Sequence, residues 1–426
     1  MPSPIKKCIQ VASAILLLGL LLFSFGFNSH TSKIAPYRHP VFYNPSSLER
    51  QISLYEAQLK TNPDGPFLLT SLAASYVQLG KQSGNFDLLD RAERMAKKSE
   101  SILRFFNDGA KLIQADVAQA KHNFRQAIQI GDAILKDKYS RGGSKIDSLA
   151  IMITSDLALG DLSQASVLAD RLVDLRPAMG SYVLRALVMT ATGRNLDALN
   201  DFQIAYKKEA FGDPVESTFF RTMWGKYYMK LGHYAEARDL LNEATRILPS
   251  DHLALGVLGD LDLKEGRGPD AEIHFSEAFT RSKQMVYLLG EANAKSLTGD
   301  QSGATEIQNE AEKILRSEIK YSGYGHRSEL VRLLLGRQKA EDFPEALKLA
   351  KEEVELRGNS EMHELCAWAL GENGHWVEAR EEIQKALRTG IQDPEVFSRA
   401  HWIEDHVGNP AQSAFYASRL SALSPN

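Results

Sequence analysis

Hydrophobic positions follow a helical period along most of the chain, and small residues punctuate the pattern at a fixed stride. Ala165, Ala198, Ala237, Ala271, Ala304, Ala346 and Ala379 succeed one another at steps of 33, 39, 34, 33, 42 and 33 residues. Each lies shortly after a chain-turning stretch and opens an apolar helical pattern. A stride near 34 predicts a helix–turn–helix solenoid, and strands are nearly absent from the pattern.

The clearest pair of units is Gly225 to Pro249 against Gly259 to Lys283. A shift of 34 places Gly225 on Gly259, Gly232 on Gly266, Ala237 on Ala271, Leu241 on Phe275 and Ala244 on Ala278. Closely packed helices need a small residue at the contact, which Gly225, Gly259, Ala186 and Ala367 supply. The turn between them needs a residue that tolerates positive φ, hence Gly160, Gly193, Gly232, Gly266 and Gly374. Pro177 and Pro249 sit where the second helix must stop. Departures from stride at 136–144, 207–216 and 320–327 predict longer loops or lengthened helices.

These positions resemble the tetratricopeptide repeat. Gly225, Tyr228, Gly232, Tyr234, Ala237, Leu241, Ala244 and Pro249 match nearly every signature position of one unit. The resemblance implies an all-α fold, a right-handed α-solenoid of about nine to ten units covering residues 46–426, with possible subdivisions near 136–145 and 320–327. It also implies that the first helix of each unit lines a concave groove that receives partner polypeptides. The groove-facing residues would include Phe219, Thr222, Lys226, Met229 and Lys230 of one unit, Asp260 and Lys264 of the next, and Asn293 of the third. Asp260 between Lys226 and Asn293 would repel a terminal carboxylate, so a mixed groove is expected. Met229 suits an adaptable binding surface.

Composition narrows the function. The 50 basic and 54 acidic residues leave a net charge of −4, without a basic stripe, which disfavours nucleic acid. The two cysteines, Cys8 and Cys366, have no metal-ligand spacing between them. There is no Gly-rich phosphate loop, no Gly-x-Ser-x-Gly and no His-Glu-x-x-His. His401 and His406 are five apart and do not share a helix face. The chain therefore reads as non-enzymatic, with no cofactor, no metal and no small-molecule substrate.

Two lysines, Lys6 and Lys7, precede a Leu-rich run from Val11 to Phe27. Residues 1–27 read as a signal anchor or as a signal peptide cleaved near Gly26. Residues 28–45, with Pro36, Pro40 and Pro45, read as an extended tether. The expectation is a scaffold for protein partners held at the cytoplasmic membrane by one N-terminal span, its repeats on the outer, periplasmic side. The alternatives are an exported carbohydrate- or cell-wall-binding protein, with Trp368 and Trp402 stacking on sugars, and a non-catalytic regulatory subunit of an envelope enzyme or secretion complex. As a one-dimensional array, the solenoid should survive deletion of one unit as a shorter rod.

Overall fold

A computed structural model describes residues 32–41, 44, 46–321 and 326–423. Among these the chain is all α, an α-solenoid without strands. A single helix α1 (Ser47–Thr61) precedes ten antiparallel hairpins. They are α2 (Pro66–Ser83) with α3 (Phe86–Ile102), α4 (Asp108–Ala120) with α5 (Phe124–Lys136), α6 (Gly142–Leu159) with α7 (Leu162–Leu175), α8 (Met179–Ala191) with α9 (Asn195–Lys207), and α10 (Pro214–Lys230) with α11 (Tyr234–Ile247). Then follow α12 (His252–Lys264) with α13 (Gly268–Ser282), α14 (Met285–Thr298) with α15 (Gln301–Tyr321), α16 (Arg327–Gly336) with α17 (Phe343–Leu356), α18 (Ser360–Glu372) with α19 (Trp376–Leu387), and α20 (Pro394–His406) with α21 (Pro410–Ala422).

The hairpins form for the reasons the spacing suggested. Every alanine of the ladder exposes 2 % or less of its surface, at the contact between partner helices. A Cβ on Gly225 would lie 2.9 Å from Leu241, and one on Gly259 would lie 2.9 Å from Phe275, so only glycine permits these approaches. Helix α10 starts at Pro214, whose preceding Asp213 accepts the Glu216 amide, and ends where Gly232 turns the chain at φ 76°. The departures from stride become the long helices α6, α10 and α15.

First helices of successive hairpins pack on one another, whereas second helices do not. The first helices thus form the inner layer and the second helices the outer one. The coil is tight enough to meet itself. The turns of the first, third, fourth and fifth hairpins, at Gly84, Gly160, Gly193 and Gly232, abut the backbone after the sixth, eighth, ninth and tenth hairpins. A Cβ on Gly193 would lie 1.9 Å from the Gly390 carbonyl oxygen, and one on Gly232 would lie 1.8 Å from that of Leu423. The second hairpin's turn obeys the same rule through His122, whose ring stacks on His326 at 6.2 Å. Asn359 secures the closure by donating to the Ala158 carbonyl at 2.8 Å.

The membrane location expected from the sequence is corrected. Among the described residues no helix is long and apolar enough to cross a membrane. The apolar run within residues 1–27 lies outside the described residues. Residues 32–41, expected as part of an extended tether, instead bend at 33–35 and dock: Ala35 and Tyr37 are buried against the fourth and fifth hairpins.

Candidate functional site

Self-contact of the coil brings first helices of successive turns face to face across the concave side. On α10, Lys226 and Lys230 stand one turn apart, and on α12 Asp260 and Lys264 do the same. Two ion pairs span from these helices to α20, one superhelical turn away: Lys230 Nζ to Asp393 Oδ2 at 2.8 Å and Lys264 Nζ to Glu395 Oε1 at 3.1 Å. Asp393 is fixed for this role as the cap of α20, accepting the Glu395 amide. The lining continues with Arg332 to Glu361 at 2.9 Å and Arg399 to Glu364 at 3.0 Å.

Glu361 exposes 66 % of its side chain on this lining. Desolvation opposes its ionisation, but Arg332 and Lys226 outweigh that and hold its carboxyl below the usual range. Asp260, also exposed on the lining, has its carboxyl pushed up to about 6. There desolvation, aided by Glu395, prevails over Lys226 and Lys264. Asp393 goes the other way: burial opposes its charge, and Lys230 overcomes it.

Between the two coils lies a cavity of about 480 Å³. One wall is apolar, with Leu157, Leu187, Met223 and Tyr227, and the other carries Lys226, Lys230, Glu361 and His363. His363 is tied to Glu382 at 2.7 Å. No single hairpin contains this cavity; it exists because Gly160 and Gly358 come together.

The residues proposed from sequence separate into groups. Lys226, Lys230, Asp260 and Lys264 converge on the concave groove. Asn293 is exposed on α14. Phe219, 38 % exposed, borders a separate cavity of about 240 Å³ beside Ile146 and Leu184. Thr222 and Met229 are corrected to interior positions. Thr222 is fully buried and donates to the Thr218 carbonyl, and Met229 packs on Ala237, Leu241 and Leu258. Met229 lies on the flank of α10 that packs on α11 and α12, whereas Thr222, one turn before Lys226 on the same stripe, is covered nearer the start of the helix.

The tryptophans considered for sugar stacking are already covered. The Arg399 guanidinium sits 4.3 Å over Trp368, and Trp402 meets Trp376 edge-on at 4.9 Å. Sequence reasoning missed Arg332, Glu361, Asp393 and Glu395. Their signal, charge on first helices one superhelical turn apart, is meaningful only once the pitch of the coil is known.

Residues 222–286 match the tetratricopeptide repeat family, so most of the fifth hairpin and the sixth are repeats of that family. No curated protein matches the sequence. Among solved structures, the human IFIT1 dimer with PPP-AAAA shares 13 % identity with a TM-score of 0.50, over 91 % of this chain and 96 % of that one. The APC/C hetero-tetramer Cut9–Hcn1 aligns at 12 % identity and a TM-score of 0.41, over 89 % of this chain and 92 % of that one. A thermophilic TPR protein of Thermus thermophilus aligns at 18 % identity and a TM-score of 0.39, over 44 % of this chain and 98 % of that one. The resemblance to IFIT1 is one of fold.

Proposed function

We propose that the protein is a non-catalytic scaffold that holds an extended segment of a partner polypeptide in its inner groove. The observation that carries this reading is the alternation of charge along the lining. Lys226, Lys230, Lys264, Arg332 and Arg399 are interleaved with Asp260, Glu361, Glu364, Asp393 and Glu395, next to an apolar cavity wall. A polypeptide presents apolar side chains, both signs of charge and a neutral backbone, and such a lining complements it. Nucleic acid presents one negative charge per phosphate, and five carboxylates in the groove would oppose it. The IFIT1 structure contains PPP-AAAA, which makes RNA the natural rival ligand to test.

The decisive experiment screens a peptide library of mixed charge against the full chain, with single-stranded RNA oligonucleotides in parallel. Retained peptides should combine apolar residues with charges of both signs, and Lys226→Glu should shift selection toward basic peptides. An RNA oligonucleotide that binds more tightly than every peptide, or selection indifferent to Lys226→Glu, would refute the proposal.

A further inference from the structure

The outer face carries a second cleft of different construction. Everywhere else along the described array, consecutive helices pack closely; α9 and α10 scarcely touch. The cause is local: α10 starts early, at Pro214, and a loop with Gly212 at φ 101° carries the chain to it. This opens a seam bounded by α9 and α11 and floored by α10, into which residues 32–41 are laid.

The seam grips the main chain. Asp239 Oδ2 accepts the amides of Lys33 at 2.8 Å and Ile34 at 3.1 Å, and also the Ser32 hydroxyl. Glu243 accepts the amides of Ser32 at 3.2 Å and Tyr37 at 2.6 Å. The Ser32 hydroxyl accepts the Ala35 amide, so every backbone N–H from Ser32 to Tyr37 has a partner; Pro36 has none to offer. In the other direction, Arg221 Nε donates to the Ala35 carbonyl at 2.8 Å, and the Tyr206 hydroxyl donates to that of Pro36.

The side chains then set what fits. Ala35 is fully buried beside Phe202, Phe220 and Trp224, which leaves no volume for a larger residue. The Tyr37 ring lies 5.4 Å from the Arg221 guanidinium, itself fully buried and doubly bonded to Glu209. None of these contacts draws on the hydrogen bonds of a helix. The segment turns on itself at Ser32, whose hydroxyl accepts the Ile34 and Ala35 amides, and side chains of the solenoid satisfy the rest of its backbone.

We infer that the α9–α11 seam is a peptide-recognition cleft for a non-helical segment of the pattern Ser-x-x-Ala-Pro-Tyr that turns at its Ser, and that residues 32–37 are its cis-bound occupant. The cleft is on the outer layer, independent of the groove, and failure of one reading leaves the other standing.

The test uses the full chain with Ala35→Arg, which denies the resident segment its seat while leaving the cleft residues intact. A fluorescent peptide spanning residues 32–41 should bind this variant at least ~10-fold more tightly than it binds the unaltered chain, where the cis segment competes. Binding should disappear when the peptide itself carries Ala35→Arg, or when Glu243→Ala is added to the protein. A variant with unchanged helical circular dichroism that ignores the peptide overturns the inference. Hydrogen exchange on the unaltered chain decides the matter even if that variant fails to fold. The amides of residues 33–37 should exchange by local release, about 100-fold faster than those around Arg221 in α10. Exchange in step with α10 would make the segment part of the core and overturn the inference.

Discussion

The first five hairpins and the last five carry the same turn chemistry but live in different surroundings. Gly193 and Gly374 both close a turn at positive φ, 71° and 76°. Gly193 is pressed against the Gly390 carbonyl, whereas Gly374 faces open space. Gly266, Gly299 and Gly408 are open as well. A turn glycine in the C-terminal half is needed only for its backbone angle; in the N-terminal half it is also needed because nothing larger fits between coils.

The contrast extends one helical turn inward. Asp156 and Asp262 each stand four residues before a turn glycine, and both are buried, at 3 % and 0 % exposure. Asp262, in the sixth hairpin, is bound by Arg238 at 2.8 Å, Arg267 at 2.6 Å and His274 at 2.6 Å. Burial opposes its ionisation, but those partners outweigh it and hold its carboxyl low. Asp156, in the third hairpin, keeps one carboxylate oxygen without a partner, and burial, with Asp161 adding repulsion, pushes it up to about 6. One repeat position thus holds a stabilising charge in one half and a strained one in the other.

The largest effect should come from removing a hairpin. Excision of the sixth shifts every coil-to-coil contact out of register, so the chain should lose cooperative unfolding and widen in small-angle scattering. A shorter rod of unchanged pitch would show that the coils do not depend on one another. Next is the glycine pair. Gly374→Ala should lower stability by about 1 kcal/mol, the strain of a side chain at positive φ. Gly193→Ala should lower it by about 3 kcal/mol, because the collision with Gly390 is added. Equal losses in thermal unfolding would remove the distinction between the halves.

Asp262→Asn should destabilise the protein at pH 7 by about 2 kcal/mol, leaving buried cations under-compensated. Because the folded carboxyl is held low, the contribution lost is one present above the ordinary Asp range and fading as pH falls through the depressed value. Asp156→Asn should do the reverse. With the folded carboxyl raised to about 6, the parent loses stability as pH climbs from about 4 through about 6, and the amide does not. At pH 8 the variant should be the more stable by about 1 kcal/mol, with no advantage at pH 4. Parallel pH–stability curves for parent and variant would contradict this assignment.

The repeat itself was legible in the sequence because it is local. Ala237 and Gly232 have fixed jobs within a hairpin, and those jobs restrict residue type. Coil closure was not legible, because Gly193 and Gly374 satisfy the same local demand and differ only in what arrives from about five hairpins away. Lys226 and Lys230 could be placed on the inner face by stride. The burial of Thr222 and Met229 could not be read, since both faces of a wedged helix are apolar enough to mislead. The docked segment escaped notice for a different reason: Asp239 and Glu243 bind its amides, and an amide leaves no trace in the order of side chains.

A coil whose successive turns touch keeps count of its repeats. In an open array a duplicated unit only lengthens the rod, so copy number drifts freely. Here a duplication upstream of Gly358 and downstream of Gly160 would bring a different linker to that glycine, and the bulk of that linker would decide whether the turns could still close. The number of hairpins is therefore a constrained trait of this protein. Its history should show substitutions within repeats far more readily than gains or losses of whole ones.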